Sequence, residues 1–275
     1  MIAALSKKGK TSLFRDSVPM AAAFLLRDLR IEASYRFNSV LKLAGIVFQL
    51  AIFYFVARLV PSGAVEGGYF PFVLSGLAFS QAFYSAMTAF GEALRREQLA
   101  GTLEQVMVSP VPPPALKAGL MAKGMPAAMV EGAAYFLAAA LLFGVYPGTA
   151  RLLALVPCAV LGLGVFAALG VISASFIMAF KRGDPVQWGF GAVSDLLGGV
   201  YFPVAMLPAW LAKTALMLPT THALNAARRI LAGGPYPWTE LGILGLFLLV
   251  LWPAGTWSFG RAVEKARREG TLGHY

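Results

Sequence analysis

Cysteine, histidine and charge are all scarce in this chain. A single cysteine, Cys158, cannot form an intramolecular disulfide, and it lies in an apolar run beside Pro157 where packing is its expected role. The two histidines, His222 and His274, are far apart and have no carboxylate or cysteine at metal-ligand spacing, so no metal site is expected. Lys8-Gly9-Lys10-Thr11-Ser12 imitates the end of a phosphate-binding loop, but Ala4 occupies the leading glycine position and no strand fits before it. A Gly-x-Ser-x-Gly turn is missing as well, which leaves an embedded enzyme without named residues. Only 13% of residues are charged.

What the chain has instead is apolar length. Of its 275 residues 58% are hydrophobic, and the mean hydropathy of +0.70 lies outside the range of water-soluble domains. A spanning helix needs roughly 20 apolar residues. The runs at about 41–60, 69–90, 117–143, 152–180 and 240–260 meet that need, and a less regular sixth covers 186–207. The third has Pro126 near its start, and the last contains Pro253, a break that neighbouring helices tolerate. Residues 203–238 are apolar but cut by Pro203, Pro208, Pro219, Pro235 and Pro237, so an outer re-entrant hairpin of short helices is expected in place of a seventh span.

Basic residues set the orientation. Most of the 23 lie before the first span, between the second and third, between the fourth and fifth, and in the tail. These segments, and both termini, are therefore expected in the cytoplasm. The net charge of +10 reads as topology plus attraction to anionic membrane lipid, and no basic groove interleaved with aromatics suggests nucleic acid. The predicted organisation is a basic arm over 1–16, without a cleavable signal core, one transmembrane domain over 17–262, and a tail over 263–275. Within 17–38, Ala22, Leu25, Leu26, Leu29, Ala33 and Phe37 share one face, the pattern of a helix lying in the membrane interface.

Two acids fall inside the apolar runs, Glu131 and Asp195, and a buried charge in hydrocarbon costs at least about 2.5 kcal/mol. Neither has a basic neighbour in its own helix. They make a thin proton relay, and an inter-helix hydrogen bond or a place in a cavity wall is an equal reading for Glu131. No inverted repeat supports a secondary carrier.

The most informative segment lies between the second and third apolar runs. Arg95-Arg96-Glu97-Gln98-Leu99-Ala100-Gly101-Thr102-Leu103-Glu104-Gln105-Val106-Met107-Val108-Ser109-Pro110 offers a tight turn at Gly101, an N-cap at Thr102, a two-turn helix and a proline stop. Val106, Met107 and Val108 would leave apolar surface in the cytosol unless a partner covered them.

This segment resembles the cytoplasmic signature of permease subunits of type-2 ABC exporters. Distal matches are Gly198-Gly199-Val200-Tyr201-Phe202-Pro203, Leu207-Pro208-Ala209-Trp210-Leu211, Leu218-Pro219-Thr220-Thr221-His222 and Ala226-Ala227-Arg228-Arg229-Ile230-Leu231-Ala232-Gly233-Gly234. The resemblance covers about residues 20 to 262. It implies an all-α integral membrane protein with six transmembrane helices, an N-terminal amphipathic interface helix, a cytoplasmic coupling helix and an outer re-entrant hairpin. It also implies a multi-pass protein of a prokaryotic inner membrane, with no catalytic residues and no cofactor of its own. ATP and Mg would be used by a separate ATP-binding cassette subunit, and a second permease copy would complete the pathway.

Coupling to that subunit would fall on Arg95, Arg96, Glu97, Gly101, Thr102, Leu103, Glu104, Val106, Met107, Ser109 and Pro110. The pathway along the second and fifth spans would be lined from Phe79, Phe83, Tyr84, Trp188, Phe190, Asp195, Tyr201 and Phe202. The Gly-Thr-Leu-Glu form leans toward drug and lipid exporters over polysaccharide exporters. An ion- or proton-coupled carrier is the alternative.

Overall fold

The computed structural model describes residues 36–61, 63, 65–99, 101, 124–180 and 185–268. Its regular structure among these residues is helical: α1 (Arg36–Ala57), α2 (Tyr69–Leu99), α3 (Gly124–Phe143), α4 (Thr149–Ala154), α5 (Val156–Phe180), α6 (Pro185–Leu197), a 3-10 turn (Val204–Met206), α7 (Ala209–Ala215), α8 (Pro219–Ala232) and α9 (Trp238–Arg268).

Four stretches are long and apolar enough to cross a membrane: Ser39–Ala57, Gly124–Phe143, Thr149–Met178 and Trp238–Lys265. They fall within the expected first, third, fourth and sixth spans, give or take a few residues. At 31 residues α2 is also long enough, about 46 Å at the usual rise, but its polar positions keep it from being uniformly apolar. With 13 residues α6 reaches only about 20 Å, short of a hydrocarbon core of about 30 Å.

The fifth run is thus not one helix over 186–207. It stops at Leu197, and the chain then turns through Gly199 at φ +82°, a left-handed conformation that suits glycine. Other boundaries shift for equally local reasons. No breaker separates Arg36 from Leu43, and residues 36–40 are helical and continuous with the first spanning helix. The rest of the expected interface helix, and the arm, lie outside the described residues. Pro157 has no N–H to offer Leu153, and the fourth span divides there into α4 and α5. In α9 the helix passes through Pro253 unbroken and continues beyond 262 to Arg268.

The centre of the bundle is α2, flanked by α3 and α5, with α9 along the far side of α5 and α8 closing one end. Small residues allow these backbones to approach. A Cβ on Gly170 would lie 2.2 Å from the Met87 carbonyl oxygen, and one on Gly162 would meet the Phe83 ring at 2.6 Å. On α3, a Cβ at Gly132 would come to 3.3 Å from the Ala78 carbonyl oxygen. Phe83 stacks on Phe166 with ring centroids 4.4 Å apart, joining α2 to α5 inside the core. Cys158 is fully buried, with its Sγ 3.5 Å from the Ala223 carbonyl oxygen, in keeping with a packing role.

Candidate functional site: a polar face of α2 and two cavities

α2 is two-faced although it lies in a membrane protein. Phe79, Phe83, Ala86, Phe90, Ala93 and Leu94 recur at helical spacing and are buried. Gln81, Tyr84, Ser85, Thr88 and Glu92 recur at the same spacing on another face, where they line a cleft of about 530 Å³ between α1, α2 and α3. Across this cleft Lys42 Nζ of α1 meets Glu131 Oε1 of α3 at 3.0 Å, and Tyr135 donates to Gln49 Oε1 at 2.6 Å. Glu131 therefore has a basic partner after all, 89 residues away in sequence and on another helix.

A second cavity, of about 240 Å³, opens between α2, α5, α6 and α8. Its polar lining comes from Ser80, Gln81, Tyr84, Ser194, Asp195 and Thr220. The Ser80 hydroxyl donates to Asp195 Oδ1. Gln81 and Tyr84 line both cavities, and Gln187 of α6 donates to the Tyr84 hydroxyl at 2.8 Å.

The aromatic residues expected along the pathway separate into three groups. Phe79 and Phe83 are buried in the chain's own core, edge to face with each other at 5.6 Å. Tyr84 and Trp188 are exposed, Trp188 at 81%. Phe190 is half-buried, with its ring 6.0 Å from that of Phe166. Tyr201 stacks on Phe53 of α1 at 5.7 Å, and Phe202 is half-buried beside it in the turn after α6.

Past its polar face α2 does not stop at Phe90. Apart from Gly91 the next nine residues contain no helix breaker, and the Glu92–Arg96 pair at 4.0 Å has the i, i+4 spacing that supports a helix. Arg95, Arg96 and Glu97 are thus helical, and Gly101 follows with φ +69°. Thr102, Leu103, Glu104, Val106, Met107, Ser109 and Pro110 lie outside the described residues.

At the other end of α2 the proline-cut region forms short helices, as its sequence suggested, and one arginine ties them down. Arg228 of α8 donates to the carbonyl oxygens of Gly199 at 2.8 Å and Phe72 at 3.2 Å and to Ser75 Oγ at 3.3 Å, with its guanidinium 3.5 Å over the Phe72 ring. His222, also on α8, meets Glu240 Oε2 of α9 at 2.5 Å through Nδ1 and the Leu216 carbonyl oxygen at 2.9 Å through Nε2. Sequence reasoning placed Arg228 and His222 in a motif but found neither set of partners. The cue for the cleft was present, since polar residues at 81, 85, 88 and 92 mark one helical face.

Apolar helices long enough to cross a bilayer, gathered around a central helix with a polar face, point to a multi-pass membrane protein. The family model described as ABC-2 type transporter matches residues 23–232, and the chain belongs to that family. It is the permease component, the transporting and non-catalytic part, of an ABC transporter, and such permeases normally work with an ATP-binding cassette subunit. No curated protein matches the chain.

Proposed function

We propose that this permease forms half of an ATP-driven export pathway in a prokaryotic inner membrane. It acts as six membrane crossings with both termini in the cytoplasm, paired with a second copy and driven by a separate ATP-binding subunit that uses ATP and Mg. The substrate is drug-like, a lipid or a lipid-linked molecule. α2 and the short α6, extended by the turn after it, supply the second and fifth crossings, and the helices of 203–238 lie on the outer side.

The observation that carries this reading is the continuity of α2. One helix lines both cavities at Gln81 and Tyr84 and runs unbroken to Leu99, two residues before Gly101. Motion delivered by a partner to residues 101–110 would reach the polar face as a rigid displacement, with no flexible joint to absorb it. The pairing of Glu131 with Lys42 removes one of the two acids that a proton-coupled carrier would use.

The test is Glu104→Lys. Removing one side of a buried charged contact typically costs about 2 to 5 kcal/mol. Assembly with the ATP-binding subunit, or ATPase stimulation by the permease, should fall at least roughly tenfold while the helices insert normally. Unchanged assembly, ATPase activity and export in this variant would refute coupling through residues 101–110.

A further inference from the structure

The polar groups of the 240 Å³ cavity do not balance among themselves. Asp195 carries a carboxyl group whose partner is the Ser80 hydroxyl, and none of the described residues lining the cavity is basic. In the same lining Ser194 Oγ and Thr220 Oγ1 belong to residues only 4% and 1% exposed, and neither has a hydrogen-bond partner among the described residues. A buried hydroxyl without a partner is costly, and a buried carboxylate without a countercharge more so. The rest of the lining is mainly aromatic: Phe83 and Phe166, parallel within 5°, together with Met87 and Gly191.

A carboxylate, hydroxyl oxygens and aromatic faces around one cavity suit an organic cation. The carboxylate supplies countercharge, the ring faces supply cation–π attraction, and the hydroxyls accept from N–H groups or face the polarised methyls of a quaternary nitrogen. A bare metal ion would need oxygens closing around it from all sides, which an aromatic wall does not offer.

Access has the matching character. Gln81 and Tyr84 line both this cavity and the larger cleft, whose own acids already have partners, Glu131 with Lys42 and Glu92 with Arg96. A cation entering the cleft meets its first uncompensated acid at Asp195.

We propose that this cavity binds the ammonium headgroup of a cationic amphiphile, with Asp195 as its countercharge. The proposal deepens the export reading by naming a substrate class, and rests on it only for what happens after binding.

The test uses the full chain in nanodiscs of zwitterionic lipid, titrated with radiolabelled decyltrimethylammonium, with partition into protein-free discs subtracted. Saturable binding is expected, displaced by unlabelled decyltrimethylammonium and not by decanol. Asp195→Asn should weaken it at least roughly tenfold, as loss of a charge-assisted contact does, whereas Asp195→Glu should retain most of it. No saturable binding to the wild-type chain, equal displacement by decanol, or undiminished binding in a folded Asp195→Asn protein would overturn the proposal. The decanol arm uses the wild-type chain, so the test survives if the asparagine variant does not fold. Binding that depends on Asp195 without ATP-driven export would leave the site standing and remove the export reading. Export by an Asp195→Asn protein with unchanged cation binding would do the reverse.

Discussion

Glu131 reaches across to Lys42 at 3.0 Å, whereas Asp195, on the other side of the same α2 face, reaches the hydroxyl of Ser80 and lines a cavity with no basic residue among those described. The two acids look alike in the sequence, each a single carboxylate in an apolar run. Their surroundings give them opposite uses. The first is neutralised by a neighbouring helix and holds α3 to α1. The second has no cationic partner among the described residues, and an acid left so in a membrane protein is costly to ionise unless a ligand supplies the other half.

The difference can be broken most sharply at Lys42. Lys42→Ala leaves Glu131, whose side chain is 20% exposed, without its countercharge. Breaking a fully buried pair costs about 3–5 kcal/mol, but the Lys42 side chain is 53% exposed and water screens the pair, so about 1–2 kcal/mol is expected. Thermal unfolding in nanodiscs would show this as a lower midpoint, largely restored when Glu131→Gln is added. If the single and double variants unfold at the same temperature, the contact contributes nothing and the two acids are not energetically distinct.

Asp195→Asn should have a smaller effect, of opposite sign. Asparagine keeps a hydrogen-bonding oxygen for Ser80 and removes a charge without a cationic partner, so stability should stay level or rise by up to about 1 kcal/mol. A loss of more than about 2 kcal/mol would reveal a basic partner for Asp195 beyond the described residues, and the contrast with Glu131 would disappear.

The contrast was only half legible beforehand. Apolar runs announce spanning helices because length and hydropathy are local properties, and the runs containing α1, α3, α5 and α9 are of that kind. The end of α6 was not visible, since apolar residues continue past Leu197 and hydropathy does not register the left-handed turn at Gly199. Which face of α2 is buried is written in the polar residues at 81, 85, 88 and 92, whereas the aromatic content alone pointed equally to Phe79 and Phe83, which are core, and to Tyr84, which is exposed. Lys42 counted toward orientation as a basic flank. Its role opposite Glu131 depends on how α1 and α3 pack, and no spacing within one helix encodes that. For the same reason the distances from Arg228 to Phe72 and Gly199 became readable only with the helices in place.

The smallest expected effect is that of the proton gradient, which should be none. A proton relay needs groups that exchange protons in succession along a path, and the described acids do not form one. Glu131 is held by Lys42 on the α1 and α3 side, while Asp195 sits with Ser80 in a different cavity. Gln81 and Tyr84 are the residues lining both cavities, and neither a carboxamide nor a phenol exchanges protons near neutral pH as a carboxylate does. Transport by the permease with its ATP-binding subunit, followed in inverted vesicles at fixed ATP, should therefore keep its initial rate when a protonophore collapses the gradient. A fall to the rate seen without ATP would make the two acids parts of one proton-coupled carrier, and their different surroundings would then be two stages of a single relay.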